Sequence, residues 1–384
     1  MKKAAVFLLL ASIFTSQSFA AYQPTVVSHY SLPYQVAQFH REALDAKASI
    51  YDAKTAYFDA VSTAEDIDTV GKYVINNKTG EESYETFDDL TALEMTLKKY
   101  LLPIEKGNLV TLATMNHEAL VNGLEKNATS AFQDLVFADL KVTSTEIGLK
   151  MAQIGFEAWE KQFEQGKLTA LEFGFERYKL MAAEVAFENA VLAFENAQRL
   201  LNLSVGFDIM TDSYRIAPKL YAPIEPEPLE VYVQRALEER LSLNALKLQI
   251  SETELEIELI QNSEAYDWHL DTQAQVVKLE RDLEVLQLTY ALELTEVTSE
   301  VRAAYEALTI QVEKMEALEP YVESTYVNYT ALNDQHMNGE ISDYAFLEAE
   351  LKYLTMKQSL TAAEMKSLQL STELLNISGV GYLK

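Results

Sequence analysis

The stretch Asn333-Asp334-Gln335-His336-Met337-Asn338-Gly339-Glu340-Ile341-Ser342-Asp343-Tyr344 interrupts what otherwise reads as one long helical hairpin. Upstream, Val297, Val301, Ala304, Leu308, Val312 and Met315 recur at helical spacing; downstream, Phe346, Leu347, Leu351, Leu354, Leu360 and Leu368 do the same. Glycine takes positive φ at little cost, so Gly339 ends one helix. A serine or aspartate oxygen then accepts orphan amides of the next first turn. The same construction occurs at Gln165-Gly166-Lys167-Leu168-Thr169. Gly206 follows Gly166 by 40 residues, and Gly379 follows Gly339 by 40. Before these lie the near-copies Leu200-Leu201-Asn202-Leu203-Ser204 and Leu374-Leu375-Asn376-Ile377-Ser378. The fold class expected is therefore all-α: two pseudo-repeated, long, antiparallel helical hairpins.

The flanking sequence divides the chain further. Residues 1–20 have a basic start at Lys2-Lys3, an apolar run from Ala4 to Phe14, and Ser18-Phe19-Ala20, which together read as a signal peptide. Residues 21–206 form the first repeat, 207–228 a linker holding Pro218, Pro223, Pro226 and Pro228, and 229–384 the second repeat. Helices are expected over 35–66, from 88 with breaks near Pro103 and Gly107, over 170–203, over 230–262, and over 272–335 with a kink or division at Pro320. Val70–Phe87 reads as a short hairpin or loop, and Ser263–Asp271 as a break. Stripes of this length need neighbours within the chain or in an oligomer, which suggests a bundle or barrel of helices.

Composition narrows the function classes. With 31 basic against 59 acidic residues, the net charge of −28 argues against nucleic acid or anionic lipid as a partner. The absence of cysteine rules out disulfides and a lipid-modified N-terminal cysteine. Twelve glycines and eight prolines suit long helices rather than an all-β chain. No stretch after the signal peptide reaches the length and apolarity of a transmembrane helix.

At this point the sequence resembles the TolC-like outer membrane efflux family. The resemblance rests on Ala131-Phe132-Gln133-Asp134-Leu135, Gly166, Leu168, Thr169, Glu172, Leu201 and Gly206 in the first copy. In the second it rests on Val301-Arg302-Ala303-Ala304-Tyr305, Gly339, Ile341, Ser342, Glu348, Ala349, Leu374 and Gly379. Glu42-Ala43-Leu44 and Arg235-Ala236-Leu237 match its repeat-opening helices. The likeness implies a homotrimer enclosing a tunnel, working in the cell envelope with a membrane-fusion adaptor and an inner-membrane pump. It also implies adaptor-docking tips at Gly166, Leu168, Thr169, Gly339, Ile341 and Ser342, and a pore-lining acidic pair, Glu172 and Glu348, that gathers cations at the tunnel mouth. In that family two strands per repeat build a membrane barrel. A spanning strand needs about 9–11 residues of alternating apolar character; Val70–Phe87 has room for one short hairpin of mixed polarity, and Ser263–Asp271 is too short for a membrane hairpin. A full outer membrane pore is therefore not the expectation, and membrane insertion is not implied by the residues.

Nothing in the sequence builds an enzyme site. The histidines, His29, His40, His117, His269 and His336, are scattered, and no His-Glu-x-x-His, phosphate-cradling glycine loop or thiol is present. No catalytic residue, metal site or cofactor is expected. Leu168 and Ile341 are read as apolar residues at exposed turns, suited either to adaptor docking or to packing on a neighbouring helix. The reading that rivals a duct is an extracytoplasmic helical binding or structural protein that keeps the fold without forming a pore.

Overall fold

A computed structural model describes residues 26–27, 32–76, 80, 82–208, 215–216 and 226–383. The expected signal peptide and most of the proline-rich linker lie outside these residues. Ten helices and four short strands are described: β1 (Val26–Val27), α1 (Leu32–Phe39), α2 (Arg41–Asp66), β2 (Gly71–Ile75), β3 (Glu82–Thr86), α3 (Asp89–Tyr100), α4 (Leu102–Glu164) and α5 (Ala170–Val205) come first. After them come β4 (Arg215–Ile216), α6 (Leu229–Glu239), α7 (Leu241–Gln261), α8 (Glu264–Trp268), α9 (Leu270–Met337) and α10 (Asp343–Ser378).

The two hairpins are α4–α5 and α9–α10, turning at Gly166 and Gly339. At about 1.5 Å per residue, α4 and α9 are each roughly 95–100 Å long. Packing runs α5 on α4, α4 on α10 and α10 on α9, so that long helices lie side by side and alternate in direction. The shorter helices α1, α2 and α3 pack on α4; α6 and α7 pack on α9. The fold is TolC-like and all-α apart from its short strands.

Several boundaries depart from the sequence reading. The first opening helix is two: α1 ends at Phe39, and extended backbone at His40 (ψ 125°) starts α2. The second divides in the same way at Arg240 (ψ 126°). Neither break carries a proline or glycine, so composition gives no warning. The break expected near Pro103 falls at Leu101, because Pro103 sits in the first turn of α4, where its missing N–H costs nothing. Gly107 is accommodated inside α4 against the ring of Tyr57. Pro320 lies within α9 without dividing it. The 263–271 break contains α8, capped by Ser263.

Val70–Phe87 is a hairpin, with β2 antiparallel to β3 and Tyr73 opposite Tyr84. Each strand has five residues, about half of what a spanning strand requires. The strands that would form a barrel are therefore reduced in the first repeat, and α8 stands in their place in the second. Among the described residues, no helix is long and apolar enough to cross a membrane.

Three apolar clusters hold the helices together. The first joins Leu32 and Val36 of α1, Phe132 and Leu135 of α4, Leu201 of α5 and Met365 of α10. The second joins Tyr232, Leu243, Val297, Val301, Leu308 and Leu374. The third joins Leu93, Ile257, Ile260 and Val276 at the end remote from the tips. Fully burying a leucine or phenylalanine contributes about 1.5–3 kcal/mol, which makes these the anchors of each repeat.

Between the repeats the seam of α4 and α10 is also stitched by side-chain amides. Gln133 Nε2 donates to the Met365 carbonyl at 2.9 Å, and Gln358 Nε2 to the Leu140 carbonyl at 2.9 Å. Lys126 pairs with Glu373 at 2.8 Å.

Candidate functional site

The two tips are near-duplicates in backbone. In the first, the amide of Gly166 donates to Phe163 O at 2.9 Å and that of Lys167 to Gln162 O at 3.0 Å. In the second, Gly339 donates to His336 O at 2.9 Å and Glu340 to Gln335 O at 2.9 Å. Both glycines are left-handed, with φ 69° and 74°. This pair of backward bonds satisfies the last carbonyls of a helix and needs a residue free to take positive φ.

The return helices start differently. Thr169 Oγ1 accepts from the Glu172 amide at 3.3 Å, while the Glu172 carboxylate accepts from the Thr169 amide and hydroxyl, both at 2.8 Å. That is a full capping box. These hydrogen bonds, the backbone one foremost, hold the Glu172 carboxyl below the usual range. In the second tip Ser342 Oγ accepts from the Ala345 amide at 3.3 Å, but Ala345 supplies no carboxylate to complete a box. A different pair appears there: His336 Nε2 donates to Asp343 Oδ1 at 2.8 Å, joining the last turn of α9 to the first of α10.

Each tip also carries an aromatic stack. Phe163 and Phe173 lie 4.4 Å apart at 7°, and His336 and Phe346 lie 4.6 Å apart at 12°. Phe163 and His336 both precede their glycine by three residues, and Phe173 and Phe346 both follow by seven. From Phe346 the second stack continues to Tyr329 (5.8 Å) and on to Tyr353 (5.3 Å). Aligning the two copies on their glycines exposes these equivalences; reading each aromatic as ordinary packing conceals them.

Leu168 and Ile341, read as exposed, are half-buried. The large apolar side chains facing outward at the tips are Leu171 (85% exposed), Met337 (77%) and Tyr344 (44%), with Leu171 and Tyr344 each five residues after its glycine. Glu172 is engaged in its capping box, and Glu348 is exposed on α10. The two carboxylates stand on α5 and α10, which both pack on α4, and no hydrogen bond or ion pair joins them within the chain. Beside the second tip lies an open groove of about 420 Å³, lined by Lys150, Gln153, Ile154 and Glu157 of α4 and by His336, Asp343, Phe346 and Leu347. Among the described residues, no group of three or more His, Cys, Asp or Glu converges as metal ligands would.

No protein-family model matches the chain, and a search of curated proteins finds no match by sequence. Solved structures do match. A membrane protein from Pseudomonas aeruginosa aligns with a TM-score of 0.61 at 14% identity, over 93% of this chain and 92% of that one. The CmeC outer membrane channel of Campylobacter jejuni aligns at 0.59 and 13%, over 95% and 91%. The outer membrane protein VceC of Vibrio cholerae aligns at 0.59 and 12%, over 92% and 97%. The fold is that of the TolC-like outer membrane channels.

Proposed function

We propose that the chain is a duct component of an efflux or secretion system, without enzymatic activity. Three copies close into a helical tunnel in the cell envelope. Their hairpin tips dock a membrane-fusion adaptor that leads to an inner-membrane pump. One observation carries the reading. On α5, which packs mainly on α4 and meets α1 where both join the first apolar cluster, Leu171, Tyr178, Val185 and Leu192 recur every seven residues and are 85, 66, 54 and 56% exposed. On α2, Leu44, Tyr51 and Phe58 repeat the same interval at 45, 63 and 65%. A seven-residue apolar repeat is the seam of a coiled coil, and an uncovered one calls for another helix. The channels named among the structural matches support the transport role. At the tips, Leu171 and Tyr344 join Leu168, Thr169, Ile341 and Ser342 as the docking surface, and Glu172 and Glu348 supply acidic charge to the tunnel mouth.

The second reading, a helical binding or structural protein that forms no pore, is favoured by the five-residue strands and by α8. The mass of the mature protein in solution separates the two. The duct reading expects a trimer that Val185→Asp with Leu192→Asp converts to monomer while helicity is retained. A parent that stays monomeric at tens of micromolar would remove the duct and leave the second reading.

A further inference from the structure

We infer that the second tip is a proton-sensitive turn, while the first is indifferent to pH across the neutral range. The inference deepens the duct reading, in which these turns face the adaptor, but it concerns the chain alone. The two tips share their glycine, their backward hydrogen bonds and their stack. They differ in what locks the turn. The first uses Phe163, Ala170 and the Thr169–Glu172 box. The second has His336 where the first has Phe163, Asp343 where the first has Ala170, and Ala345 where the first has Glu172.

Histidine changes charge between about pH 5 and 8, and no group in the first lock does so. Protonated, His336 gives Asp343 a charge-assisted hydrogen bond. It then also places a positive charge at the C-terminal end of α9, where the helix dipole favours one, while Asp343 sits at the favourable N-terminal end of α10. The stack on Phe346 gains a cation–π component. Neutral, the imidazole keeps one hydrogen bond through its Nε2–H tautomer but loses each of these charge terms.

The surrounding charges are mixed. From α4, Glu157 and Lys150 line the same groove, one of each sign. Asp334 and Glu340 stand two residues before His336 and four after it in the chain. Carboxylates therefore outnumber the lysine. The second turn is therefore tighter in mild acid than at alkaline pH, while the first turn does not change.

Amide hydrogen exchange on the full mature chain tests this, at about pH 5.5 and 8 with intrinsic exchange rates divided out. Amides of residues 339–346 should be about two- to fivefold more protected at the lower pH, while 166–173 should not change. His336→Phe copies the first tip's own stack, and Asp343→Ala its own residue; each should abolish the difference. The transplant Phe163→His with Ala170→Asp should create it at the first tip. Equal protection of 339–346 at both pH values in the parent, or a pH difference that survives His336→Phe, would overturn the inference. The readout involves neither trimer nor adaptor, so its failure leaves the duct reading standing, and failure of the duct reading leaves it untouched.

Discussion

The first repeat closes where Gly206 meets the break at His40, and the second where Gly381 meets the break at Arg240. Both glycines are left-handed, at φ 82° and 88°. Around Gly206 the fit is backbone on backbone: an added Cβ would meet Phe39 O at 2.6 Å and His40 Cα at 2.7 Å. The rings of Phe39 and Phe207 close over it at 5.1 Å. Around Gly381 the fit is to a side chain, with Arg240 Nη1 at 2.5 Å from the same imaginary atom. Arg240 is buried, donates to the Ile377 carbonyl at 3.1 Å and pairs with Glu300. Asn122 reaches across from α4 to the Gly381 carbonyl at 2.9 Å. One topology is thus closed once by shape and once by charge. The shaped closure has no slack, whereas the charged one can move but must stay paired.

The largest effect expected from this contrast falls on the glycines. Gly206→Ala should cost about 3 kcal/mol or more, and Gly381→Ala about 2, because a guanidinium can shift where a carbonyl cannot. Gly379→Ala should cost less than either, about 1 kcal/mol, since no atom comes closer than 3.5 Å to the added Cβ. Urea midpoints rank the three, and a Gly379→Ala as damaging as Gly206→Ala would dissolve the distinction.

Next come the breaks themselves. Arg240→Ala should lose about 2 kcal/mol, from the unpaired Ile377 carbonyl and the loss of the Glu300 partner, which is itself partly exposed. His40→Ala should lose less than about 1 kcal/mol, because its buried Nδ1 already lacks a hydrogen-bond partner. Thermal midpoints of the two variants sharpen the comparison, and equal losses would defeat it.

The smallest effects belong to the tip caps. Thr169→Ala should cost about 1 kcal/mol and Ser342→Ala somewhat less, read as local exchange of amides in the first turns of α5 and α10. The Thr169 penalty should also depend on pH. The Glu172 carboxyl is held below its ordinary value of 4.5, so its share of the box is present above that value and vanishes as pH falls through the lower, folded one. Once the pH is low enough to protonate that carboxyl in the folded chain, the penalty of Thr169→Ala should therefore shrink toward that of a simple cap.

The turns were legible in the sequence because their chemistry is local: a glycine, a hydroxyl three residues on, and helical stripes on either side. The stretch 70–87 was legible only as a hairpin or a loop, and the pairing of β2 with β3 decides for the hairpin. The closing glycine of the second repeat was not. Equal spacing singles out Gly379, but the role depends on contact with Arg240, about 140 residues earlier, and that contact selects Gly381. The breaks at His40 and Arg240 were hidden because they are tertiary in origin; Leu241 donates to the Val380 carbonyl at 3.0 Å, a partner no local pattern announces. At the tips, the glycines and caps could be named, whereas the outward residues Leu171 and Tyr344 and the half-burial of Leu168 and Ile341 depend on how each turn folds back on its own helix.

The seam between α4 and α10 has a consequence in time. Each hairpin joins residues close in sequence, as Phe163 and Phe173 are, and so forms early. The bonds from Gln358 to Leu140, Gln133 to Met365 and Asn122 to Gly381 span 218, 232 and 259 residues. Loop closure of that size is entropically dearer and comes late. A newly made chain is therefore expected to pass through an interval with two finished hairpins and no bond between them. During that interval the α4 face of one molecule and the α10 face of another are as complementary as those of a single chain, so copy number and dilution at that moment decide whether hairpins are exchanged between molecules.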